Sequence, residues 1–130
     1  MIRAASRLAV LLLTGTFAWP PHASAESPSM HQYVTCAVYY RMLTASFSSR
    51  YGRGLDAMAD INRERMDKAM ALAREAGEAE YGEEAEDIFL EQWRQTLGAM
   101  TAEINHNYDN ISRIKYKYKG RCEALIPVEE

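Results

Sequence analysis

Residues 101–114 read TAEINHNYDNISRI, and two readings of them lead to different folds. An apolar stripe arrives through Phe89, Trp93, Leu97, Met100 and Ile104. It continues through Tyr108 and Ile111 in helical register, which allows one unbroken helix. The tetrad Asn107-Tyr108-Asp109-Asn110 has turn chemistry instead, because Asn and Asp side chains bond nearby backbone and cap helix starts. Asp109 and Asn110 are the candidate N-caps.

The two cysteines of the chain, Cys36 and Cys122, separate these readings. An even count in an oxidising compartment reads as one disulfide, which needs Cα atoms within about 7 Å. Without a turn between residues 83 and 125, Cys122 would lie roughly 60 Å, at about 1.5 Å per residue, beyond the end at which Cys36 sits. An intramolecular bridge therefore requires the chain to reverse, and 107–110 is where it can. The expected fold is all-α: a small antiparallel, up-down-up-down four-helix bundle stapled by Cys36 and Cys122. A bridge between two chains would restore the long helix and make a covalent dimer.

Working outward, the expected helices cover about 29–51, 55–77, 82–108 and 110–125. In the first, Tyr33, Ala37, Tyr40, Thr44, Phe47 and Tyr51 follow helical spacing beside Val34, Val38 and Met42, after Ser27, Pro28 and Ser29. The second lies between Gly54 and Gly77, with Met58, Ile61 or Asn62, Met66, Met70 and Ala73 on one face. The third starts among Glu83, Glu84, Glu86 and Asp87, which suit the positive end of a helix dipole. The fourth alternates base and apolar residue over 113–119, as a half-buried strand would. The steps Ile111, Ile114, Tyr118, Cys122, Leu125 fit a helix better, because no second strand-like segment offers a partner.

The N-terminus reads as an export signal. Arg3 and Arg7 precede an apolar run over residues 8–19, Pro20 and Pro21 break it, and Ala23-Ser24-Ala25 offers a cleavage site. The run is shorter than the roughly 20 residues a membrane-spanning helix needs. Cleavage after residue 25 leaves a single helical domain over 26–130 in the periplasm or outside the cell, too short for two domains. Of 130 residues, 15 are Lys or Arg and 18 are Asp or Glu; the signal removes two arginines and no acid, so the net charge moves from -3 to -5.

That net charge conceals segregation. Glu75, Glu78, Glu80, Glu83, Glu84, Glu86, Asp87 and Glu91 form an acidic block without a base among them. Arg113, Lys115, Lys117, Lys119 and Arg121 form a basic one. On a helix, Lys115 and Lys119 share one face and Lys117 and Arg121 another, giving a broad patch able to meet an anionic membrane surface or an acidic protein of the cell envelope. The plainer alternative is charge complementing the helix end and the acidic loop. Nucleic acid is not expected as a partner of an exported acidic chain.

Catalytic and cofactor signatures are sparse. No Gly-x-Ser-x-Gly elbow, Gly-rich phosphate loop or Cys-x-x-Cys occurs, so no catalytic residue and no metal ligand set is assigned, and no cofactor is expected. Glu103-Ile-Asn-His106 has the Glu-x-x-His spacing of carboxylate di-iron bundles but lacks a second copy. Met30 with His106 offers a non-covalent haem pair, and Met66 with Met70 a thioether pair for Cu(I), although methionines at helical spacing more often fill cores. Asn110-Ile-Ser112 matches a glycosylation acceptor, yet Asn110 is also a proposed cap. The sequence thus reads as an exported, non-enzymatic helical binding or interaction protein. The alternative is a cofactor-carrying bundle with haem or metal held through His106.

Overall fold

The computed structural model describes residues 27–50 and 56–127, without the side chains of 48–50. The expected signal at 1–25, the connection carrying Gly52 and Gly54, and the tail at 128–130 lie outside these residues. The fold is all-α, with α1 Met30–Arg50, α2 Asp56–Tyr81, α3 Ala85–Glu103 and α4 Ser112–Leu125. Short 3₁₀ turns, Gly82–Glu84 and Tyr108–Asn110, precede α3 and α4. No strand occurs among the described residues, so the alternation over 113–119 is helical.

α1 is the core of the molecule. A capping box starts it: Gln32 N–H donates to Ser29 Oγ at 3.2 Å, and Ser29 N–H to Gln32 Oε1 at 2.8 Å. The Met30 N–H donates to Glu80 Oε1, at 2.9 Å, so a carboxylate from the end of α2 serves the positive end of α1. Every residue from Val34 to Tyr40 is buried, whereas His31, Gln32 and Arg41 are exposed. A stretch buried over seven successive residues needs neighbours on several sides, and α2, α3 and α4 all pack on α1. Two of its threonine hydroxyls bond along the helix, Thr35 donating to the His31 carbonyl and Thr44 to that of Tyr40, both at 2.9 Å.

α2 runs antiparallel to α1, with Glu80 beside Met30 at one end and Arg65 over the Tyr40 ring further along. Its inner face is Ala59, Asn62, Ala69, Ala73 and Gly77 rather than the expected methionines, with Met66 and Met70 only partly buried. Small residues let the two helices approach closely. The helix also passes Gly77 and ends at Tyr81, one turn later than expected. The reversal falls to Gly82, whose φ of +60° is the left-handed conformation that favours glycine.

α3 presents the stripe expected of it: Phe89, Met100 and Ile104 are buried, and Trp93 and Leu97 pack against the core. It ends at Glu103, not at 108. Asn105 and His106 take φ of +53° and +55°, and the His106 N–H bonds to the Thr101 carbonyl at 3.0 Å, closing the helix. Asn107, not Asp109 or Asn110, caps the following turn, accepting from the Asp109 N–H at 2.9 Å. Asn110 serves α3 instead, its Nδ2 donating to the Ile104 carbonyl at 2.9 Å.

The reversed chain brings Cys122 to Cys36, and they form an intramolecular disulfide with Cα atoms 5.3 Å apart. Ile114 and Cys122 are buried from α4, with Ile111 before it and Ile126 after it. Beyond the helix, Lys68 of α2 donates to the Pro127 carbonyl at 3.0 Å. No helix among the described residues is long and apolar enough to cross a membrane.

Candidate functional site

α4 turns Ile114, Tyr118 and Cys122 inward, and the rotation of about 100° per residue fixes where its other side chains lie. Arg113, Lys115, Lys117, Lys119 and Arg121 are all exposed. Arg113, Lys117 and Arg121 form one row and Lys115 and Lys119 a second. Between the rows stands Tyr116, 96% exposed.

The first row is braced against α3 and Tyr118. Lys117 Nζ pairs with Glu103 Oε1 at 2.6 Å, and Arg113 Nη1 donates to the Glu103 carbonyl at 3.3 Å. Lys117 and Arg121 also lie 5.2 and 6.0 Å from the centre of the Tyr118 ring. Hydrogen bonds to Glu103 and Tyr118 hold the Lys117 ammonium above its ordinary range. In the second row, Lys119 lies 4.0 Å from Glu123. Pairs this exposed are screened by solvent and add little to stability.

The second row borders a groove of about 280 Å³ between α1, α2 and α4. Tyr39, Tyr40, Leu43 and Phe47 line it from α1, and Met58, Ile61, Asn62 and Arg65 from α2. Met58 and Ile61, each 46% exposed, leave large apolar surface at its edge. Tyr40 is 1% exposed, yet its hydroxyl has no hydrogen-bond partner, and neither has the buried Nε of Arg65. A buried polar group left unpaired costs about 1–3 kcal/mol. Burial, with Tyr40 and Glu123 nearby, pushes the Tyr39 phenol up to about 12 despite the Arg65 guanidinium. Burial raises Tyr40 as well, again opposed by Arg65. These aromatic residues look like core in the sequence. Their role at a groove depends on α4 lying beside α1 and α2, which the spacing within one helix does not reveal.

The acidic block is exposed throughout and divides among local tasks. Glu80 caps α1, Glu86 lies 3.4 Å from Arg74, and Glu91 pairs with Arg94 at 3.0 Å and accepts from Gln95. Glu78, Glu83 and Glu86 line a recess of about 270 Å³ with Met30, Arg74 and Ala85, to which none of the five bases of α4 contributes.

His106 does not lie on α3, because the helix has ended three residues earlier. Its left-handed backbone breaks the spacing with Glu103, whose carboxylate is engaged by Lys117. Met30 is buried at the other end of α3, near Gly77 and Ala85, so the structure does not bring Met30 and His106 together. Among the described residues, no three His, Cys, Asp or Glu side chains converge as a metal site would need. Asn110, in the glycosylation pattern, is half-buried with its amide committed to Ile104.

Comparison of the chain with protein-family models, with curated proteins and with solved structures finds no match.

Proposed function

We propose that this chain is exported, with residues 1–25 as a cleaved signal peptide, and acts in the periplasm or outside the cell as a non-enzymatic binding protein. Its helices follow an up-down-up-down course, and the outer face of α4 docks on an anionic membrane surface. The observation that carries this reading is the exposure of Tyr116 between two rows of cations. Tyrosine suits the boundary between headgroups and acyl chains, since its ring is apolar and its hydroxyl is not. A base held near an anionic leaflet contributes about 1 kcal/mol, so several together give binding that salt weakens. The exposed acidic block repels the same surface and favours approach by α4. The intramolecular disulfide agrees with an oxidising compartment.

Co-sedimentation of the purified protein with phosphatidylglycerol-containing vesicles and with neutral phosphatidylcholine vesicles tests the reading. Binding to the anionic vesicles alone is expected, reduced at least tenfold by combined Arg113→Gln, Lys117→Gln and Arg121→Gln and also reduced by Tyr116→Ala. Equal binding to neutral vesicles, or an unchanged triple variant, refutes it. An acidic protein partner would instead appear as capture of an envelope protein that the triple variant loses, with no vesicle binding.

A further inference from the structure

We propose that the groove between α1, α2 and α4 is a binding site for a free single-chain carboxylate of medium length, a fatty acid of about eight to twelve carbons. The site shares Lys115 and Lys119 with the basic face of α4 but does not involve Arg113, Lys117 or Arg121, and its occupant follows from three features of the groove. The first is size. At about 30 Å³ for each water-sized group, 280 Å³ holds roughly nine to ten such groups. An octanoate or decanoate chain fits, and a longer tail extends past the edge formed by Met58 and Ile61.

The second feature is the distribution of charge. Arg65 from α2 and Lys115 and Lys119 from α4 border the groove, against the single carboxylate of Glu123. Cations brought from two helices to an apolar recess suit an anionic head with an alkyl body. Lys115 is the clearest of them, since Lys119 lies near Glu123 and Arg65 over the Tyr40 ring.

The third is the pair of buried, unpartnered donors, the Tyr40 hydroxyl and the Arg65 Nε. Both are donors that an ionised carboxylate accepts from, whereas a neutral alcohol offers a weaker acceptor. Among the described residues, no group answers either of them. A carboxylate head would satisfy both while the chain covers Leu43 and Ile61, so head and tail are recognised by neighbouring parts of one recess.

Isothermal titration of the protein, purified after expression of the full chain, tests this with octanoate, decanoate and dodecanoate below their micellar concentrations, and with decanol as the neutral control. Saturable 1:1 binding of decanoate is expected, at least tenfold tighter than decanol and weakened by salt. Tyr40→Phe, which keeps the ring and fills the same space, weakens decanoate at least fivefold and leaves decanol within twofold. Combined Lys115→Gln and Lys119→Gln has the same selective effect. The Arg113→Gln, Lys117→Gln, Arg121→Gln variant keeps wild-type decanoate affinity, so failure of the membrane reading and failure of this one are told apart. Absence of saturable binding, equal affinity for decanol, or wild-type decanoate affinity in both the Tyr40 and the lysine variants overturns the proposal.

Discussion

The ε-methyl of Met30 occupies the space that a side chain at residue 77 would need, because a Cβ placed on Gly77 would overlap Met30 Cε and stand 3.3 Å from its sulfur. Glycine here leaves that space open, inside a helix where it is otherwise unfavourable by about 1 kcal/mol relative to alanine. Met30 is fully buried, but its ε-methyl is the end of a flexible side chain and a cavity of about 270 Å³ is lined by Met30 and Ala85, so the thioether has space to move aside. Gly77→Ala is therefore expected to change stability by less than about 1 kcal/mol net, the cost of displacing Met30 offsetting the gain in helix propensity. Met30→Ala alone should cost about 2–5 kcal/mol and distinctly less beside Gly77→Ala, because the new methyl fills part of the cavity. Urea unfolding of the two single variants and the double variant measures the coupling, and additive effects would refute the contact.

The bridge spans 86 positions, from the first half of α1 to the last turn of α4. Joining residues that far apart restricts the unfolded chain by about 4–5 kcal/mol in the loop-entropy account, a large share of the about 5–15 kcal/mol typical of a domain. Combined Cys36→Ser and Cys122→Ser is expected to lower stability by that order and to loosen α4 first, since α4 packs less extensively on its neighbours than α1 and α2 do on each other. Urea unfolding with and without reductant reads the loss. Non-reducing electrophoresis should show a monomer throughout.

Two non-glycine residues hold left-handed backbone between α3 and α4, Asn105 and His106. Asn adopts this conformation more readily than His does. His106→Gly is expected to stabilise by up to about 1 kcal/mol by relieving that strain. Asn110→Ala should destabilise by about 1 kcal/mol, since it leaves the Ile104 carbonyl without the amide that now serves it. Thermal unfolding of each variant checks the opposite signs.

The Tyr39 phenol has an ordinary pKa of 10.0 and is pushed up to about 12 in the fold, chiefly by burial. Above pH 10 the unfolded chain loses this proton while the folded chain keeps it, so the unfolded state binds fewer protons and stability falls as pH rises. The contribution is complete below pH 10 and is lost as pH climbs through about 12. Raised Tyr40 adds to the same limb. Stability measured by urea unfolding should thus drop between pH 10 and 12, and Tyr39→Phe should flatten that drop. An identical slope in the variant would remove Tyr39 as its cause.

Most of the helices were legible because their signals are local. The Phe89 to Ile104 stripe, the helix entry at Ser27, Pro28 and Ser29, and the turn residues after α3 depend only on neighbours within a few positions. Errors arose where a partner decides. The methionines of α2 read as its inner face on hydrophobicity, but the close approach to α1 selects Ala69, Ala73 and Gly77. Gly77 reads as a helix stop, yet its role is room for Met30. Asn110 reads as an N-cap, but its amide donates to the Ile104 carbonyl just past the end of α3, beside the Asn107 N–H.

The sequence by itself pointed to a helical chain, offered one cysteine pair, tied a bridge within one chain to a reversal before Cys122, and showed the segregation of acidic and basic residues, since each follows from periodicity, count or spacing along the chain. The tertiary structure decided that the bridge closes within one chain and that α1 is buried over Val34 to Tyr40. It also decided that Tyr40 would be buried without a partner, and that Arg65, Lys115 and Lys119 would border one apolar groove. Those outcomes depend on how three helices approach one another, and the energy of that approach lies in contacts between residues far apart in sequence.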